Sequence, residues 1–148
     1  MKNDHLHVLL ADDDEDDRNL FIDAFNELKI NIKIEVVKDG QELLEFFDKP
    51  DKAIPQILFL DLNMPCKTGI ECLIEIKKDD RLKNLSIAIY STSASEKDIE
   101  ETFVRGANVY IKKPNNFDSL KKVLSEVVTL KWQYHTSGLN RDNFLLSV

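Results

Sequence analysis

The chain has 148 residues, of which 43% are hydrophobic and 32% are charged, and its net charge is -7. This length and composition are typical of one globular domain, and the negative charge argues against sequence-independent binding to nucleic acid, which relies on Lys and Arg. No apolar run is long enough to span a bilayer and residues 1–5 do not begin a signal peptide, so no membrane partner and a cytoplasmic location are expected.

Short apolar runs alternate with amphipathic stretches along the chain. The apolar runs, which predict buried strands, are 6–11, 32–37, 56–60, 86–90 and 109–112. Apolar residues at helical spacing lie within 20–28, 40–47, 70–77, 99–104 and 117–128. This alternation predicts an α/β fold with a five-stranded parallel sheet and helices on both faces. Right-handed crossovers favour the flavodoxin-like, doubly wound strand order 2-1-3-4-5.

The last part of the chain does not follow this alternation. Residues 1–130 are predicted to form the domain, and residues 131–148 a C-terminal tail that contains Trp132 and Tyr134. Apolar side chains seldom stay in water, so the tail is expected to pack on the domain or to form an oligomer or partner contact. Because a domain rarely has fewer than about 40 residues, no output domain fits in the tail, and output is expected through contact with another protein.

Polar side chains follow four of the predicted strands, at the edge where open parallel sheets bind their ligands. They are Asp12 and Asp13 after the first strand, Asp61 after the third, Ser91 after the fourth and Lys113 after the fifth. Three close carboxylates cannot all stay ionised without a cation, and such a set of oxygen ligands suits magnesium. An aspartate can be the nucleophile in phosphoryl transfer, with metal, ammonium and hydroxyl groups stabilising the charge.

Each of these residues also has an ordinary structural explanation. An acidic pair after a strand is usually a helix cap, a single lysine is usually on the surface, and a serine can be a turn residue. Only their joint placement at four strand ends favours a functional site.

The histidines and cysteines do not extend this site. His5 and His7 lie before or within the first strand and His135 lies in the tail, so they are interpreted as structural or surface residues. Cys66 and Cys72 lack metal-ligand spacing and are predicted to be reduced thiols, with redox sensing by Cys66 as the alternative.

Four motifs resemble those of the receiver domain of bacterial two-component response regulators, over about residues 6–130. They are LLADDD at 9–14, LDLNMP at 60–65 followed by Gly69, YSTS at 90–93 and YIKKP at 110–114. The resemblance implies that Asp61 is the phosphoacceptor. It also implies that Mg2+ is held by Asp12, Asp13, Asp61 and the backbone carbonyl of Asn63.

Further roles follow from the same resemblance. Ser91 and Lys113 would contact the phosphoryl group, and Tyr110 would be an aromatic switch that turns inward as Ser91 moves toward the phosphate. The face of the fourth helix, fifth strand and fifth helix would then change. Asn63 and Ser93 would tune dephosphorylation. The Lys113–Pro114 peptide bond is expected to be cis.

The resemblance further implies a signalling switch rather than an enzyme, with self-catalysed phosphoryl acceptance and slow autodephosphorylation. The expected partners are a sensor histidine kinase or phosphotransfer protein and an unknown downstream protein. Thr92 and Ser93, the loop before Pro55 and the tail resemble stand-alone regulators paired with phytochrome-type and hybrid sensor kinases. Those regulators often form dimers, so a homodimer is compatible with this sequence.

Three alternative functions would require sequence features that differ from those of this chain. An aspartyl-phosphate phosphatase needs a second aspartate two residues after the nucleophile, where this chain has Asn63, which cannot transfer a proton. A flavin or nucleotide module would need a Gly-rich or Ser/Thr-rich phosphate loop after the first strand, where residues 12–17 are six consecutive acids. A degenerate receiver would lack part of the site, and the predicted site is complete.

Overall fold

The computed structural model describes residues 6–136 and 144–146. In these residues the strands are β1 Leu6–Ala11, β2 Ile32–Val37, β3 Ile57–Leu60, β4 Ser86–Ser91, β5 Val109–Lys112 and β6 Leu145–Leu146. The helices are α1 Glu15–Glu27, α2 Gly40–Asp48, α3 Gly69–Lys77, α4 Glu96–Val104 and α5 Phe117–Thr136, with a short 3₁₀ helix at Asp80–Leu82. None of the described helices is both long and apolar enough to cross a membrane.

The strands form one parallel sheet in the order β2-β1-β3-β4-β5-β6. The predicted order of the first five strands is confirmed. The sixth strand was not predicted, because two residues carry no periodicity. It pairs Leu145 with Tyr110 and Leu146 with Ile111. Since α5 runs to Thr136, ordered elements occur on both sides of the predicted boundary at residue 130.

Side chains of the strands alternate between two apolar layers, one on each face of the sheet. On the face of α1 and α5, the centre of the Phe21 ring lies 4.9 Å from the centre of the Phe59 ring and 5.0 Å from that of Phe25. On the opposite face, α2 and α3 contribute residues such as Leu43 and Leu73. Helices therefore cover both faces, as the apolar strands predicted.

Helix caps fix the loops at the carboxyl edge of the sheet. Asp14 is the N-cap of α1 and accepts a hydrogen bond from the backbone N–H of Asp17, and Glu15 to Asp17 occupy the first turn, where the helix dipole favours acids. At α3, Thr68 and Glu71 form a reciprocal capping box. The acidic run is thus partly a capping sequence.

Both cysteines are free, as predicted. Cys72 is buried in α3, and burial raises the pKa of its thiol to about 11. Cys66 is exposed in the loop before α3. His7 is at the other end of β1 from the acidic pair, where its Nε2 lies 2.7 Å from Glu35 Oε2, in agreement with a structural role. The predictions for His5 and the side chain of His135 lie outside the described residues.

Candidate functional site

The register of the sheet brings the predicted site residues to one edge. The backbone N–H of Asp61 donates to the carbonyl of Ala11, which joins the ends of β1 and β3. The backbone N–H of Lys113 donates to the carbonyl of Ser91 in the same way at β4 and β5. The loops after four strands therefore face one another, as the rule for open parallel sheets requires.

Three carboxylates form a cluster at this edge. Asp12, Asp13 and Asp61 each offer an oxygen, and these atoms lie within 4.8 Å of one another. Asp12 and Asp61 are buried, and Asp13 is exposed. Burial, reinforced by the charge of Asp12, raises the pKa of Asp61 to about 6 although Lys113 opposes the shift. An all-oxygen set with two buried carboxylates and one side open to solvent fits a hard divalent cation.

The ammonium group of Lys113 lies among carboxylates. Its Nζ is 2.8 Å from Asp12 Oδ2, 2.8 Å from Asp17 Oδ2 and 3.3 Å from Asp61 Oδ2. It also lies 5.2 Å from the centre of the Tyr90 ring. Burial lowers the pKa of Lys113, but its contacts with Asp12 and Asp17 outweigh burial and hold this pKa above its usual range. The lysine is therefore a fixed cation at neutral pH.

Sequence reasoning missed two residues that shape the site. Asp17 lies in the first turn of α1, where the helix dipole alone would explain an acid, yet it contacts the Lys113 ammonium. Arg18 Nη1 donates to the backbone carbonyl of Asp12 at 2.8 Å and fixes the loop that carries the acidic pair. The available signal was their position in the first turn of the helix that follows Asp12.

The loop after β3 packs tightly against the backbone of Asp61. At Gly69 an added Cβ would lie 2.4 Å from the Asp61 carbonyl oxygen and 2.7 Å from Leu62 Cα. The Gly69 N–H donates to the Leu62 carbonyl, and the N–H of Asn63 donates to Asp61 Oδ1 at 3.2 Å. This close approach explains why the sequence has glycine four residues after Pro65.

The predicted switch residues form one hydrogen-bonded group. Ser91 is buried, and its Oγ accepts from the N–H of Ser93 at 3.2 Å. Ser93 Oγ donates to Asp98 Oδ2 at 2.9 Å. Tyr110 is fully buried and its hydroxyl donates to the Ser93 carbonyl at 2.6 Å. The Tyr110 ring is thus already inward, whereas the resemblance implied an inward turn on phosphorylation.

The prediction of a cis bond before Pro114 is wrong. Every peptide bond in the described part of the chain is trans, including Lys113–Pro114. Trans is the favoured form of such bonds by about 0.5–1 kcal/mol, and here it is compatible with the contacts of Lys113 to the three carboxylates.

The doubly wound sheet and the acid, lysine and hydroxyl groups at its carboxyl edge define an α/β domain of the receiver type. The chain matches the response regulator receiver domain family over residues 8–125, and it belongs to that family. Receiver domains are signalling switches of two-component systems rather than enzymes.

Known relatives agree with this assignment. The chemotaxis protein CheY of Halobacterium salinarum is 32% identical over 122 residues, covering 82% of this chain and 96% of CheY. The response regulator Rcp1 of Synechocystis is 27% identical over 124 residues, covering 81% of this chain and 84% of Rcp1.

Solved structures give the same result. The phosphorylated cyanobacterial phytochrome response regulator RcpA superposes with a TM-score of 0.80 at 29% identity, covering 86% of this chain and 94% of RcpA. The Mn(2+)-bound form of Rcp1 superposes with a TM-score of 0.76 at 26% identity, covering 91% of this chain and 99% of Rcp1. The resemblance to phytochrome-associated regulators is confirmed by these neighbours.

Proposed function

We propose that this protein is a response regulator that accepts one phosphoryl group on Asp61 from a sensor histidine kinase or a phosphotransfer protein. Mg2+ would be held by Asp12, Asp13, Asp61 and the backbone carbonyl of Asn63. The observation that carries the proposal is the buried Asp61 carboxylate, which lies beside the Lys113 ammonium and within a cluster of three carboxylates.

The groups at the edge of the sheet have complementary tasks in the transfer. An Asp61 oxygen attacks the phosphorus, the P–N bond to the donor imidazole breaks, and its electron pair returns to the imidazole, which takes up a proton. Lys113 donates a hydrogen bond to a phosphoryl oxygen and Ser91 donates its hydroxyl to another. Mg2+, when held by these carboxylates, would neutralise negative charge on the phosphoryl group. With a pKa of about 6, Asp61 is mostly ionised at neutral pH, as a nucleophile must be.

The proposal extends to the lifetime and the output of the phosphorylated form. Asn63 is exposed beside Asp61, and Ser93 lies two residues after Ser91, and these positions support a role for both residues in tuning dephosphorylation. Output would come from the face of α4, β5 and α5, where Val104 leaves an apolar side chain 71% exposed. We expect it to act on a downstream protein in the cytoplasm, and a homodimer stays a prediction.

Intact mass spectrometry after treatment with phosphoramidate and Mg2+ tests the phosphoacceptor. The wild type is expected to gain one phosphoryl group and Asp61→Asn none. Asp51→Asn, which removes an exposed acid in the loop before β3, is the matched control and should be modified like the wild type. Equal uptake by Asp61→Asn, or no uptake by the wild type, would reject the proposal.

A further inference from the structure

The residue just before the C-terminal strand β6 is a phenylalanine that is buried against the tyrosine of β5. Phe144 is fully buried, with its ring centre 6.2 Å from Tyr110 and 5.3 Å from Phe103 of α4. The next residue, Leu145, pairs with Tyr110 in the sheet and is 39% exposed. Phe144 is therefore the side chain of this segment that links β5 to α4.

A short series of contacts joins Phe144 to the proposed phosphoryl site. The Phe144 ring packs on the Tyr110 ring, and the Tyr110 hydroxyl donates to the Ser93 carbonyl. The N–H of Ser93 donates to Ser91 Oγ. The Ser93 carbonyl, which accepts the hydrogen bond from Tyr110, lies two residues after Ser91, the last residue of β4. A change in the position of the Tyr110 ring would therefore move the loop that begins directly after Ser91.

We propose that Phe144 is a positioning residue that, by docking within its own chain, keeps Tyr110 inward and orders the loop after Ser91, so that the Ser91 hydroxyl is positioned for phosphoryl binding. A Tyr110 ring that leaves the core needs space between β5 and α4, and Phe144 fills space there because it contacts both elements. When Phe144 is docked, the residues around Ser91 are already ordered. Binding of a phosphoryl group therefore loses less conformational entropy. This inference rests on the proposed function of Asp61.

The coupling acts in both directions. If docking of Phe144 strengthens binding of a phosphoryl group, then a phosphoryl group must strengthen docking of Phe144 by the same factor. A two-residue strand has few backbone hydrogen bonds, so the docking depends chiefly on the buried ring and is reversible at low cost. Phosphorylation of Asp61 would accordingly strengthen the packing of Phe144 against β5 and α4, and so change the face that these two elements form.

The test compares beryllofluoride binding in the presence of Mg2+ by NMR titration of the full chain. Beryllofluoride is the probe because it mimics a phosphoryl group on an aspartate. Phe144→Ala is expected to bind about 5-fold to 10-fold more weakly than the wild type, at the low end of ordinary coupling energies, and to shift the Tyr110 ring resonances. Leu145→Ala, at the exposed residue that follows Phe144 in the chain, should bind within about twofold of the wild type. Phe144→Leu should bind beryllofluoride more tightly than Phe144→Ala and less tightly than the wild type. It replaces the alanine variant in this comparison if Phe144→Ala does not fold.

A double-mutant cycle separates this route from a general loss of stability. In a Tyr110→Ala background, Phe144→Ala should have no further effect on beryllofluoride affinity. Equal affinity of the wild type and Phe144→Ala would overturn the positioning role and leave Asp61 as the phosphoacceptor. An undiminished effect in the Tyr110→Ala background would overturn the route through the tyrosine. Absence of binding by the wild type would reject the proposed function together with this inference.

Discussion

Replacing Lys113 with alanine is expected to slow phosphorylation by phosphoramidate by about 100-fold to 1,000-fold, the usual effect of losing a donor to a developing anion. The same change should lower the free energy of unfolding in metal-free buffer by about 3 kcal/mol. The reason is that the ammonium group is the cation shared by the buried carboxylates of Asp12 and Asp61 and by Asp17. Removing it leaves two buried acids without a counter-charge.

Urea unfolding with and without Mg2+ separates these two effects. Mg2+ should restore most of the lost stability of Lys113→Ala, because a divalent cation at the same carboxylates replaces the missing positive charge. It should not restore the phosphorylation rate. Lys112→Ala removes a neighbouring exposed lysine and should leave both quantities near the wild-type values. An unchanged rate in Lys113→Ala would show that the lysine does not act on the phosphoryl group, and a loss of stability that Mg2+ does not reverse would show that its role is in packing.

The sequence was sufficient for the main fold and for most of the candidate site, because both depend on local patterns. Every residue of β3 is buried. A continuous apolar sequence of this kind therefore indicates a strand in a parallel sheet that helices cover on both faces. The strand-end rule then locates Asp12, Asp61 and Lys113 without any knowledge of distances. Their contacts in the structure agree with that placement.

The features that sequence reasoning missed depend on contacts between distant segments. In the sequence Asp17 resembles any acid in the first turn of a helix. Its second role depends on Lys113, which directly follows β5 and contacts the Asp17 carboxylate in the folded chain. The inward ring of Tyr110 contacts Phe144, which lies 34 positions later in the printed sequence, and the pairing of Leu145 with Tyr110 joins equally distant segments.

Asp61→Asn should make the metal-free protein more stable at pH 7.5, by about 3 kcal/mol, while abolishing its stabilisation by Mg2+. Burial and the neighbouring Asp12 raise the pKa of Asp61 to about 6, above the ordinary value of about 3.9 for an unfolded chain. The folded state therefore binds the proton more tightly than the unfolded state. The cost of the ionised carboxylate is absent below about pH 4, grows as the pH rises through 6 and is complete above about pH 7. The stability difference between Asp61→Asn and the wild type should follow the same course.

Urea unfolding of both proteins between pH 4 and pH 8, with and without Mg2+, measures this dependence. Mg2+ at about 100 times its dissociation constant should stabilise the wild type by about 2.7 kcal/mol. Asp13→Asn is the informative control because Asp13 is exposed: it should weaken the response to Mg2+ without the gain in metal-free stability. If Asp61→Asn were instead less stable than the wild type at pH 7.5, the attraction between Asp61 and Lys113 would outweigh the cost of burial. In that case the cluster would be a structural ion pair that does not need a metal.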